Sequence, residues 1–343
     1  MLNILHKSVE IIQEKCIPVV SKKHLQLFRF GIASLTLSPF RSLNSNARIT
    51  INNIHTAYTK MYRLTKQKKL LLTFPHIMQS FDFVHPDSLV VIDFSTFCGF
   101  QVLTFAVQTH LGRAIPVHFE IITYPIVRPT SQNIFIQDAL KHLKEILGFY
   151  PCFVLDRGFA IPTLIEFFVQ NQILFYVRAK KGKGVTVVDK KREEHTLPAS
   201  MIKNYDTSMK AYGFQLRLII SNKPKDKEEP WYIITNDFDS SRKEIISIYY
   251  HRFEIEETFK DLKHVFDLKI FRIKTMQSFS IVLWFAILGV WLSFSIDELK
   301  LQIKKLTQKQ IYKKVSIVRL WSEGVQRSFL YSFFNTSYMK QFF

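Results

Sequence analysis

SLVVIDF, residues 88–94, is a short apolar run with β-branched side chains that meets an acid, and it reads as a core strand. QVLTFAVQTH (101–110) and AIPVHFEIITY (114–124) follow, separated by the turn candidate LGR, so the three read as a meander. SQNIFIQDALKHLKEIL (131–147) then places Ile136, Leu140, Leu143 and Leu147 at helical spacing, with Gly148 as its stop. PCFVLD (151–156) is the next strand, IPTLIEFFVQ (161–170) a helix and ILFYVRAK (173–180) a further strand. Three meander strands followed by a helical crossover to a parallel strand describe an α/β chain, a mixed sheet flanked by helices. FQLRLIIS (214–221) and WYIIT (231–235), with the KKGKG (180–184) and KKREEH (190–195) tracts, make 181–235 a basic β-rich insertion.

Composition narrows the partners. A chain of 343 residues with 47% hydrophobic and 14% aromatic content can bury a sizeable core, which excludes extensive disorder. Its 47 Lys and Arg against 28 Asp and Glu give a formal net charge of +19. Such a surface attracts polyanions and releases their counterions, so nucleic acid leads and an anionic membrane surface follows. Residues 1–75 hold twelve Lys and Arg against Glu10 and Glu14 alone; with breaks at Pro18, Pro39 and SLNSNA (42–47) they read as a small basic helical module. Cys16, Cys98 and Cys152 stand far apart without C-x-x-C spacing, which indicates neither a disulfide framework nor a structural zinc site and fits a reducing cytoplasm. Lys7, Glu10, Glu14 and Lys15 interrupt any N-terminal apolar run, so no secretory signal is read. The absence of a G-x-G-x-x-G or Walker-type loop argues against a nucleotide-cofactor enzyme. FSIVLWFAILGVWLSFSI (279–296) is uncharged over 18 positions, at the lower edge for a membrane span; a buried core helix has the same composition and is the expectation here.

The candidate chemistry lies in carboxylates. LVVID and CFVLD share one form, four apolar residues and then Asp, which sets Asp93 and Asp156 near the ends of neighbouring core strands. An ionised carboxylate there is costly unless paired or metal-bound; the plain alternative is an Asp that caps a turn. A third acid comes from YYHRFEIEETFKDLK (249–263), read as one helix. With Arg252 as zero and about 100° per residue, Tyr249, Glu256 and Lys263 fall within about 60° of it, whereas Glu254 and Glu257 lie about 140–160° away. Glu256 is thus the acid flanked by cations, although a solvated Glu–Arg i, i+4 pair would give the same pattern. His251 and His264 fall off this stripe and read as packing or surface residues.

The spacing Y-x2-R-x3-E-x6-K, met by Tyr249, Arg252, Glu256 and Lys263, resembles the signature of the insertion-sequence-four family of bacterial DDE transposases. DRGF (156–159) is similar to that family's D-R-G motif, and FYVRAK (175–180) to its next strand. The resemblance covers roughly residues 85–295. It implies a ribonuclease-H-like catalytic core, divided as 85–180 and 236–296 around the insertion 181–235, with 1–75 as a DNA-end-binding domain; the lysine pairs and few acids beyond the core make 297–343 a basic helical tail. FSTFCGF (94–100), after the first Asp, departs from the versions of that segment recognised in the family.

What the resemblance implies is specific. Asp93, Asp156 and Glu256 are expected to be catalytic and to ligate two Mg²⁺ ions, with Mn²⁺ able to substitute; an all-carboxylate donor set suits such hard cations. Tyr249, Arg252 and Lys263 are expected to contact DNA phosphates. The reaction would be strand nicking at inverted-repeat ends and joining of the 3′-hydroxyl to target DNA, by a cytoplasmic protein that pairs two ends as a homodimer and engages no membrane. Competing readings are a nuclease on the same core without strand transfer, an inactive DNA-binding remnant, and a membrane-associated protein without catalysis. Lys180, Lys181 and Lys183 are either backbone contacts or a solvated loop.

Overall fold

The computed structural model describes residues 4–36, 47–48, 51, 53–122, 131–179, 184–188, 194–198, 206–211, 213–221, 230–269, 273–306 and 315–333. Pro39, nearly all of SLNSNA, Lys180, Lys181, Lys183, most of KKREEH and the lysine pair at 313–314 lie outside the described residues.

The strands are β1 (Leu89–Phe97), β2 (Phe100–Val107), β3 (Ile115–Ile122), β4 (Cys152–Leu155), β5 (Phe175–Arg178), β6 (Gly184–Val188), β7 (Glu194–Pro198), β8 (Asp206–Ala211), β9 (Phe214–Ile220) and β10 (Tyr232–Thr235). Among the described residues they form one sheet in the order β3-β2-β1-β4-β5-β10-β9-β8-β6-β7. β1, β2 and β3 are antiparallel neighbours, and β4 and β5 run parallel to β1. This is the mixed sheet flanked by helices expected from the strand-and-helix order. The strand-rich stretch 181–235 extends that sheet, because β10 pairs antiparallel with β5 and carries β9, β8, β6 and β7 outward.

The helices are α1 (Ile4–Ile11), α2 (Lys22–Gly31), α3 (Ile54–Thr65), α4 (Lys68–Leu71), α5 (Phe74–Phe81), α6 (Gln132–Leu147), α7 (Pro162–Gln170), α8 (Arg242–Tyr250), α9 (Glu254–His264), α10 (Met276–Ser295), α11 (Asp297–Lys304) and α12 (Ile317–Phe333). α6 begins where Ser131 accepts a hydrogen bond from the Ile134 N–H and ends at Gly148, whose φ of 84° supplies the left-handed cap.

α10 is the apolar segment flagged in the sequence, and 83% of its most apolar window is buried. It is long and apolar enough to cross a membrane, but here it is the post around which the N-terminal helices, α12 and β3 pack. Phe28 of α2, Phe74 of α5 and Phe285 of α10 meet with ring centroids 5.3–6.2 Å apart. Trp291 donates to the Pro116 carbonyl at 2.6 Å, and Trp321 of α12 to the Ser8 hydroxyl of α1 at 2.9 Å. The described residues among 4–81 thus share one continuous apolar core with the sheet.

Candidate active site

The site starts from register. β1 pairs with β4 as Leu89 with Cys152, Val90 with Phe153, Val91 with Val154 and Ile92 with Leu155, so LVVID and CFVLD align residue for residue and Asp93 and Asp156 come next on each side. Asp93 is not at the end of its strand, as the sequence had led us to expect: β1 runs on to Phe97, and Asp93 lies opposite Thr104 of β2. What ends at Ile92 is the pairing with β4, which opens the sheet beside the Asp93 carboxylate. FSTFCGF completes β1 and the turn at Cys98 and Gly99, with φ of 50° and 83°, into β2.

Asp156 leads into a short 3₁₀ turn, Arg157–Phe159, and its side chain makes no capping bond there. It accepts instead from the Tyr249 hydroxyl at 3.4 Å. Phe159 of the same turn stacks on Phe94 at 5.7 Å and fixes the turn to β1.

The third acid arrives on a broken helix. α8, whose Ser241–Glu244 capping box fixes its start, ends at Tyr250; a 3₁₀ turn, His251–Phe253, intervenes before α9. Three residues at about 120° each rotate everything beyond them by about 60° relative to a uniform helix. The single-helix projection over 249–263 is therefore corrected. Tyr249, Arg252 and Glu256 still converge, and Lys263, about two turns beyond Glu256 on the same uninterrupted α9, holds its Nζ 5.2 Å from the Phe97 ring centroid.

Arg252 is the hub. Its Nη2 donates to Glu256 Oε1 at 2.6 Å and its Nη1 to Asp93 Oδ2 at 3.5 Å, while its side chain is only 5% exposed. Asp93 is pushed up to about 6, first by burial and then by the nearby charges of Asp156 and Glu256, against the pull of Arg252 and the Phe94 N–H. Burial opposes the charge of Arg252, yet Tyr249, Asp156, Glu256 and Asp93 together raise its pKa. Burial raises the Tyr249 hydroxyl above its usual range, with Arg252 and Arg178 opposing and Asp156 adding to the rise. Lys263 is lowered by burial and by Lys269. As the side chains stand, the guanidinium occupies the position between the acids: among the described residues only His118, Glu120 and His142 bring three such ligand atoms within 4.8 Å of one another.

The donor chemistry fits hard divalent cations, since the set is all carboxylate oxygen around one buried monocation, and Asp93 is held above its normal pKa first by burial and then by its acidic neighbours.

Residues 131–292 match the family model described as a transposase DDE domain. That segment is just under half of the chain, and it holds Asp156, Tyr249, Arg252, Glu256 and Lys263 but not Asp93. Among solved structures, the chain is similar to a piggyBac transposase in a cryo-EM synaptic complex with hairpin DNA, at a TM-score of 0.49 and 8% identity over 98% of this chain and 80% of that one. No curated protein matches the sequence at a significant level.

Sequence reasoning missed Glu254, which it had set on another face. Its side chain is fully buried and accepts from the backbone N–H groups of Thr109 at 2.8 Å, His110 at 3.3 Å and Gly112 at 3.2 Å. The β2–β3 turn presents these donors together because His110 and Gly112 adopt φ of 58° and 79°. His251 packs here, its Nδ1 3.2 Å from Glu254 and its ring 4.1 Å from that of His110; His264 is exposed. The LGR turn was visible in the sequence, but its acidic partner 142 residues away was not.

Proposed function

We propose that this chain is a DDE transposase of the insertion-sequence-four type, which binds the ends of its element, nicks DNA and joins the freed 3′-hydroxyl to target DNA. The observation that carries the reading is the residue-for-residue alignment of LVVID with CFVLD, which sets Asp93 and Asp156 side by side, with Glu256 reached through Arg252.

Asp93, Asp156 and Glu256 would hold divalent cations, Mg²⁺ with Mn²⁺ able to substitute. When bound, two such ions supply activation of an attacking hydroxyl and stabilisation of a leaving oxygen. The chain's own residues prepare the place. Tyr249 orients Asp156 through its hydroxyl, and Arg252 holds Asp93 and Glu256 close to one another. When DNA enters, Arg252 offers its planar fork to a phosphate and Lys263 its point charge from the rim of the same face. The net charge of +19 draws in the duplex, and pairing of two ends calls for a homodimer on DNA.

The test is to incubate the protein with linear DNA carrying its own inverted-repeat ends and Mg²⁺. A nick leaving a 3′-hydroxyl at the element boundary, followed by a joined product, is expected. Nicking without joining assigns a nuclease instead, and binding without any nick in Mg²⁺ or Mn²⁺ removes the catalytic reading.

A further inference from the structure

A second ligand cluster lies on the other face of the sheet. Cross-strand pairing groups Asp93 with Thr104 and Phe119, and Ile92 and Phe94 with Phe105 and Leu103 and then with His118 and Glu120. Because side chains alternate along a strand, His118 and Glu120 share the face away from Asp93. His142, from the middle of α6, reaches down to them. Glu120 Oε1 lies 3.0 Å from His118 Nε2 and 2.6 Å from His142 Nδ1, and the two rings stand 5.1 Å apart at 84°. His118 is buried, Glu120 half-buried and His142 54% exposed, and all three line a cleft of about 640 Å³ with Leu71, His76 and Trp284.

We propose that His118, Glu120 and His142 bind one divalent cation of the zinc class, separate from the carboxylate cluster. The three ligand atoms lie within 4.8 Å of one another. Tetrahedral bonds of about 2.0–2.2 Å set neighbouring ligand atoms about 3.4 Å apart, so small side-chain adjustments seat the ion. Two imidazoles and one carboxylate favour zinc-class metals over the Mg²⁺ that an all-oxygen set prefers. The mounts are rigid, a core strand and the centre of a helix that packs on it, so the ligands are ordered in advance. The Nδ1 of His118 is buried without a hydrogen-bond partner, so an ion on Nε2 places the ring proton on a donor with no acceptor, a cost that the three metal bonds must exceed. Three protein ligands leave a fourth position, which faces the cleft beside the exposed His142. The competing account is a hydrogen-bonded His–Glu–His relay in which both rings donate to Glu120 and no ion enters.

Untagged full-length protein, stripped with EDTA, would be titrated with Zn²⁺ in a calorimeter in the presence of excess Mg²⁺, and with Co²⁺ followed by visible absorption. One equivalent of Zn²⁺ and an intense tetrahedral Co²⁺ band are expected, both unchanged in Asp156→Asn. His142→Ala and Glu120→Gln should each weaken Zn²⁺ binding by more than about 100-fold, beyond the loss typical of an outer partner. Glu120→Gln retains an acceptor for one ring, so its metal-free unfolding midpoint should stay near that of the parent. Absence of the tight equivalent, or an equivalent lost in Asp156→Asn and kept in both cleft variants, overturns the proposal.

Discussion

Arg252 faces Asp93 and Glu256 from a buried position, and Asp156 adds to the field that keeps it charged. Removing one partner of a buried charge network costs more than the pair contributes, because the others are left uncompensated. Arg252→Gln should lower the stability of the EDTA-treated protein by about 2–4 kcal/mol in urea melts, with millimolar Mg²⁺ restoring part of the loss. Asp156→Asn and Glu256→Gln should each reduce end cleavage by at least about 100-fold while leaving DNA affinity nearly unchanged. Equal loss of binding would move these acids out of the catalytic role. Asp237 belongs to the scaffold: burial opposes its charge, but the Ser240 and Asp239 N–H groups and the Tyr176 hydroxyl, at 2.7 Å, hold its carboxyl below the usual range. A depressed carboxylate contributes stability above its unfolded pKa of 3.8 and loses it as pH falls through the lower folded value. Asp237→Asn should therefore cost about 1–2 kcal/mol at neutral pH, a difference that narrows below pH ~4 in acid-titrated melts.

At the scale of elements, the α8–turn–α9 unit decides which acids face the site. Arg252, from the 3₁₀ turn, meets Glu256 at i+4, and Glu254 enters the β2–β3 turn, where three backbone N–H groups converge on one carboxylate. Glu254→Gln substitutes an amide NH₂ for one acceptor oxygen and sets donor against donor. It should lower the urea midpoint by the equivalent of about 2–4 kcal/mol and slacken the α9 register, reducing cleavage although Glu254 touches no part of the carboxylate cluster. An unaltered midpoint would mean that the turn does not depend on this acid.

For the whole molecule, α10 sets the shape, because helices from both ends of the chain and β3 all pack against it. Gly289 marks one close approach: a Cβ there would meet two Phe266 ring carbons at 2.5 Å and Trp321 at 3.3 Å. Gly289→Ala gains helix propensity but overpacks the contact, and the overpacking should dominate, for a net loss of about 1–3 kcal/mol by thermal or urea unfolding. A stabilised variant would show that the Phe266 ring yields freely.

Much of this was legible in the sequence because it is local. LVVID, CFVLD and SQNIFIQDALKHLKEIL carry their own periodicity, and the chain order of strands and crossover restricts the sheet to few topologies. The repeated four-apolar-plus-Asp form marked Asp93 and Asp156, and the spacing of Tyr249, Arg252 and Glu256 marked the third acid. Three things were decided only by tertiary structure. The β2–β3 turn seated Glu254 away from the carboxylate cluster, pairing with β5 drew the 181–235 strands into the central sheet, and cross-strand register set His118 and Glu120 opposite Asp93 with His142 above them. Each depends on contacts between residues distant in the chain, whose free energy of burial and hydrogen bonding outweighs local preference and leaves no mark in any single stretch of sequence.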